Sequence, residues 1–296
     1  MKPVIVIEKL ADLVHLVEAL TGHEFIAIDT ESNSFYAYFE KVCLIQISTL
    51  EEDYVIDPFS VGDLSPLKDI LKNQGVEKIF HASSNDVLGL KRDFGFEFQN
   101  VFDTAVSCKL LGYKHLGLAK IIDQHFGVSL NKKKWQRCDW GKRPLTREQL
   151  DYARFDTHFL IPLRHMLAEN LIAKDLIDAA KEAFERACQQ AFQGKSFHPD
   201  AFIQIKGARL LDDLGKKVLK ALYRYREEQA RHRNRAPFRI ISNEALIRIA
   251  QQRPKDIKEI AAIKGIPRSY HHNRGAQRLL SLIRKCQGNE DEALQQ

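Results

Sequence analysis

Short apolar runs broken by turn residues occupy the first hundred positions, and longer periods of about 3.6 residues occupy the rest. After the apolar PVIVI and an amphipathic stretch to Leu20, FIAID, VCLIQIS, DYVID and EKIF are β-branched or aromatic and bounded by polar residues, which predicts strands. LSPLKDILKN predicts a helix opened by Ser65 with Pro66 at its first position, and NDVLGLKRDFG a helix closed by Gly95. From Val101 the pattern turns helical: VFDTAVSCKLLGY, GLAKIIDQHFG and a long stretch from Thr146 to Gln190. Between them LNKKKWQRCDWGKRPLT has no period and reads as an ordered loop. Strands first and helices later argue for a layered α/β domain.

The pattern shifts again at QGKSFHPDAF, where Gly194 and Pro199 interrupt helical periodicity. This predicts a first domain over residues 1–195, a linker at 196–206, an all-helical domain at 207–286 and a polar, frayed tail at 287–296. A length of 296 residues suits that division. Charge sharpens it: residues 203–285 hold 21 Lys and Arg against 7 Asp and Glu, whereas residues 1–202 hold 24 against 29. A polyanion would be drawn to the second part, unless the excess is only a solvated helix surface.

No stretch has the roughly 20 uncharged apolar residues that cross a bilayer, so no membrane is expected. Five cysteines without a CxxC pair fit a reducing compartment, and the chain is expected to be cytoplasmic. Cys43 within VCLIQI reads as a small core residue.

Against this background a few carboxylates carry the chemistry. On a strand, Asp29 and Glu31 would share one face while Ile28 and Thr30 point the other way. Two acids on one face of an apolar strand repel each other, and a cation resolves the conflict, unless the strand ends at Ile28 and both are solvated. Asp86 follows IFHASSN near a helix start, where an acid also serves as a first-turn residue, and His81 either touches substrate or satisfies a buried hydrogen bond. Tyr152 and Asp156 stand four apart, on one face of a helix, either as a water-orienting phenol with a metal ligand or as a surface pair. Three or four carboxylates would suffice to hold two hard divalent cations against a phosphodiester.

In this order, Asp29-Thr30-Glu31 followed by VCLIQIS, His81 to Asp86, and Tyr152 to Asp156 after DWGKRPLT, the chain resembles the DEDD-type 3′-5′ exonucleases of the ribonuclease D branch with a motif-three tyrosine. Residues from about Gly207 to Cys286 resemble the helical helicase and ribonuclease D C-terminal (HRDC) domain. The resemblance implies a ribonuclease H-like mixed sheet flanked by helices, followed by an all-α nucleic-acid-binding bundle. It also implies two ions, Mg²⁺ or Mn²⁺. Asp29, Glu31 and Asp156 would hold the water-activating ion, Asp29 would bridge to the second, Asp86 would support that second ion, and Tyr152 would orient the nucleophile. Thr30 and His81 would meet the substrate. Ser32 after Glu31 and a single basic domain depart from the bacterial pattern of phenylalanine and two domains.

The expected function is release of 5′-mononucleotides from RNA 3′ ends, such as tRNA precursors or other structured RNAs. A 3′-5′ DNA exonuclease and a non-catalytic RNA-binding adaptor are the alternatives.

Overall fold

A computed structural model describes residues 2–130, 134–192, 194, 196–272 and 274–291. Residues 131–133 of the basic loop, 193 and 195 just before the expected linker, 273, and 292–296 of the tail lie outside the described residues. The strands are β1 (Ile5–Ile7), β2 (Phe25–Ser32), β3 (Val42–Ser48), β4 (Asp53–Ile56), β5 (Glu77–Phe80) and β6 (Val101–Asp103). Helices of the first part are α1 (Leu10–Leu20), α2 (Pro58–Val61), α3 (Leu67–Lys72), α4 (Ser84–Phe94), α5 (Thr104–Leu110), α6 (Leu118–Phe126), α7 (Arg147–Arg154), α8 (Leu160–Ala173) and α9 (Ile177–Gln189). Those of the second are α10 (Asp213–His232), α11 (Pro237–Ile240), α12 (Asn243–Gln252), α13 (Ile257–Ala262) and α14 (Arg274–Asp291).

One mixed sheet in the order β1-β4-β3-β2-β5-β6 organises the first unit. β2 lies at its centre, antiparallel to β3 and parallel to β5. Alternation along these strands sends Ile26, Ile28, Ile45, Ile47 and Ile56 into one core with Leu13, Leu16 and Leu67. The opposite face carries Ala27, which joins Leu160, Ile161 and Leu163, and Leu44 and Val55, which join Trp140 and Ala153. Both faces are thus covered: Gln46 and Ser48 of β3 are buried, whereas Asp29, Thr30 and Glu31 toward the end of β2 stay partly exposed.

Three local expectations change. Val101–Asp103, read as the start of a helix, is strand β6, because Val101, Phe102 and Asp103 are buried and pair in parallel with Lys78, Ile79 and Phe80. Asp103 then caps α5, accepting from Ala105 N and Val106 N. The α3 helix begins at Leu67 rather than at Pro66. The stretch from Thr146 to Gln190, read as helical without internal breaks marked, divides into three helices: Thr157 Oγ1 donates back to the Arg154 carbonyl at 3.1 Å, and tight turns over 155–159 separate α7 from α8.

The second unit comprises Tyr36–Glu40 together with the chain from Gly194. Its core is built from Val218, Leu219, Leu222, Leu246, Ile249 and Leu279, with Tyr38 among them. Ala236 N donates to the Tyr36 carbonyl at 3.0 Å, Phe39 N to Asn234 Oδ1 at 2.9 Å, and the Tyr38 hydroxyl to Glu227. Residues 196–206, read as a linker, hold a 3₁₀ helix (Pro199–Gln204), and Phe202, Ile203 and Ile205 pack on this core because AFIQI is apolar enough to be buried. Helix α14 continues to Asp291, into the tail expected to fray.

Candidate active site

Strand β2 extends to Ser32, so Asp29 and Glu31 lie within it, opposite Gln46 and Leu44 of β3. Both acids therefore take the face that Ala27 and Leu44 define. A register shift between Glu31 and Ser32 ends regular pairing there, a common device where a sheet re-aims side chains toward a site.

The third acid arrives on the covering layer. Asp156 lies just beyond the end of α7, its N–H bonded to the Ala153 carbonyl at 3.1 Å. Asp29, Glu31 and Asp156 each bring a carboxylate oxygen to within 4.8 Å of the others. Several neighbours fix this turn. Thr157 Oγ1 meets Ser48 Oγ at 2.6 Å, Ser48 Oγ donates to Asp53 Oδ1 at 2.7 Å, and His158 Nδ1 meets Asp53 Oδ2 at 2.9 Å. Burial would raise the Asp53 carboxyl, but the bonds from His158 and Ser48 outweigh it and hold it below the usual range.

Tyr152, on α7, stacks on the buried Trp140 ring with centroids 5.9 Å apart. Burial, reinforced by the carboxylates of Asp156, Glu31 and Asp29, pushes its phenol far up, so it stays a neutral donor at physiological pH. Trp140 belongs to the loop before α7, and Arg143 fastens that loop to the sheet. Its Nε and Nη2 donate to Asp57 Oδ2 and Oδ1 at 2.6 and 2.7 Å, and Nη2 also to the Cys43 carbonyl at 2.8 Å. Such a bidentate pair fixes direction as well as charge. Cys43 itself is fully buried, as a core residue would be.

Asp86, in the first turn of α4, is not one of the three converging acids. It accepts from Thr30 Oγ1 at 2.5 Å, which ties it to the residue between Asp29 and Glu31. Burial pushes its carboxyl up to about 7 despite that bond. The turn leading into α4 is held by Asp103, which accepts from Ala82 N, Ser83 N and Ser83 Oγ at 2.7–3.0 Å, and Ala82 takes a left-handed φ of 63° there. His81 is anchored at both ring nitrogens, Nδ1 to Thr104 Oγ1 at 2.9 Å and Nε2 to the Leu116 carbonyl at 2.8 Å.

A family model described as 3′-5′ exonuclease matches residues 4–172, more than half of the chain, and one described as HRDC domain matches residues 215–283. The chain belongs to the DEDD-type 3′-5′ exonuclease family. Its exonuclease domain carries the acids described above, and its HRDC domain is the helical second unit. An exosome complex component 10 homologue of Caenorhabditis elegans is 33% identical over 264 residues, covering 88% of this chain and 30% of that protein. Among solved structures, the catalytic core of RRP6 from Trypanosoma brucei is 26% identical with a TM-score of 0.88, covering 97% of this chain and 80% of that one. RNase D of Escherichia coli, an exoribonuclease involved in structured RNA processing, is 30% identical with a TM-score of 0.72, covering 97% and 76%. The chain spans less than half the length of the first curated relatives it matches.

The exonuclease family uses divalent metals, and the donor set here fits them. Three carboxylates offer oxygen alone, the ligand that Mg²⁺ and Mn²⁺ prefer. Their closeness is unfavourable without a positive charge between them. Sequence reading picked out the acids but not their supports, Asp53, Asp57, Asp103, Arg143 and Thr157. Only Asp103 left a trace, as an acid immediately before a helical run.

Proposed function

We propose that this chain is a metal-dependent 3′-5′ exoribonuclease that releases 5′-mononucleotides one at a time from RNA 3′ ends, tRNA precursors or other structured RNAs among them. The convergence of Asp29, Glu31 and Asp156 to within 4.8 Å carries the reading. When bound, two ions, Mg²⁺ or Mn²⁺, supply an activated water and neutralise charge on the leaving 3′ oxygen. Asp29, Glu31 and Asp156 would hold the first, and Asp29 and Asp86 the second. Tyr152, kept neutral by its surroundings, orients the attacking water through its hydroxyl.

Thr30 and His81 are assigned to substrate contact. Because the Thr30 hydroxyl is held by Asp86 and both His81 nitrogens are held by the protein, that contact runs through backbone or ring face. The HRDC domain, with 21 basic against 7 acidic residues over 203–285, supplies the attraction for RNA phosphates. No helix among the described residues is long and apolar enough to cross a membrane. Five free cysteines support a reducing setting, the cytoplasm.

Digestion of matched labelled RNA and DNA oligonucleotides, with Mg²⁺ or Mn²⁺ and with chelator, tests this directly. The expected result is stepwise shortening of RNA from its 3′ end, abolished by chelator. Faster digestion of DNA would move the substrate to the other sugar. Binding without any product would favour an adaptor.

A further inference from the structure

In the middle of β3, Gln46 has 0% exposure, and neither Oε1 nor Nε2 has a hydrogen-bond partner among the described residues. Its polar neighbours are differently placed: Ser48, Asp53 and Thr157 are all buried and all bonded. A buried primary amide that no protein group satisfies at either end is costly, and a leucine or methionine would fill the same space without that cost. A partner supplied in another state of the protein would explain why the amide is there.

Register indicates where that partner lies. Gln46 stands directly opposite Asp29 in the antiparallel β2–β3 pair, and opposed residues share a sheet face with Cβ atoms about 5 Å apart. That distance is within reach of a glutamine amide. Two residues along β3 on the same face, Ser48 contacts Thr157, the neighbour of Asp156. The unpartnered amide therefore sits between the strand that presents Asp29 and the anchor of the turn that presents Asp156.

We infer that Gln46 is a positioning residue of the metal centre. Its Nε2 would donate to the Asp29 carboxylate and hold it in the orientation that suits a bound cation, while Oε1 would accept from an ordered water. This rests on the metal-dependent reading above. An outer hydrogen bond of this kind orients the ligand and raises its effective affinity, and removing one typically weakens metal binding about 10–100-fold.

The test compares wild type with Gln46→Leu and Gln46→Met, which keep volume and remove the amide. Mn²⁺ affinity is measured by electron paramagnetic resonance, with melting temperature in chelator and turnover against Mn²⁺ concentration alongside. The expected result is an unchanged or higher melting temperature without metal. Mn²⁺ affinity should be at least about tenfold weaker in either folded variant. Turnover should recover at high Mn²⁺, with KM for RNA unaltered. Wild-type Mn²⁺ affinity in both variants would overturn the inference and leave the metal-dependent reading standing. Failure of the wild-type protein to bind Mn²⁺ would overturn both.

Discussion

The exonuclease domain and the HRDC domain encode their contributions in different ways. In the first, a few acids far apart in sequence meet within 4.8 Å, and a sheet buried on both faces together with a ring of hydrogen bonds holds them there. In the second, charge is spread over many exposed side chains of a helical bundle, and no three candidate metal ligands converge among the described residues. Convergent sites fail when one member is lost, whereas distributed ones weaken by degrees. On the proposed function the difference also separates their roles: short-range coordination in one, long-range attraction of phosphate in the other.

The sharpest way to break this comparison is Asp29→Asn. Turnover on RNA should fall about 10⁴-fold, the scale of several kcal/mol of lost charge stabilisation, while RNA affinity stays near wild type. Equal loss in both assays would mean that the acids serve binding and that the two domains are not separable in role.

Arg143→Met asks whether the loop under Tyr152 depends on its buried anchor. Breaking the pair leaves the Asp57 carboxylate buried and unpaired, at a cost of about 3 kcal/mol in unfolding free energy by denaturant titration. Burial would raise the Asp57 carboxyl, but Arg143, Ser60 and the Phe59 N–H hold it below the usual range. Its folded pKa lies below its unfolded value, so this stability is complete above about pH 4 and is lost as pH falls through the folded pKa. The Met variant should therefore show a flatter acid-side stability curve than wild type.

How far could such a site be read beforehand? The acids and the strands β2 and β3 were legible, because alternation and short motifs are local signals. Asp156 was expected on one helix with Tyr152, yet α7 ends at Arg154, since Thr157 bonds back to that residue's carbonyl and its hydroxyl is taken by Ser48. Nothing in the order of residues announces a partner 109 positions away. The same holds for Arg143 with Asp57, 86 apart. β6 was missed because three residues leading into a capped helix carry too little pattern to separate strand from helix. In the HRDC domain Tyr225 is buried in the core, while Phe238 is 50% exposed.

A smaller effect is expected for Tyr152→Phe, about 10–100-fold in kcat with KM for RNA unchanged, as for other groups that act through a ligand or its water. A change in KM alone would assign the phenol to substrate binding. Smallest per residue is the response of the exposed Arg231, Arg233 and Arg235 to replacement by Gln. RNA binding should weaken several-fold per residue at low salt, about 10²-fold with all three replaced. Its dependence on log salt should flatten by about 2 for three lost phosphate contacts, with turnover at saturating RNA preserved. An unchanged slope would remove these residues from the RNA-binding surface.

The central claim is that Asp29, Glu31, Asp86 and Asp156 hold paired divalent ions. A crystal of the protein soaked in Mn²⁺ with a short RNA, read by anomalous scattering, tests it most directly. The account predicts two peaks about 4 Å apart, one among Asp29, Glu31 and Asp156 and one between Asp29 and Asp86. Absence of any peak at these carboxylates in crystals that contain ordered RNA would contradict it.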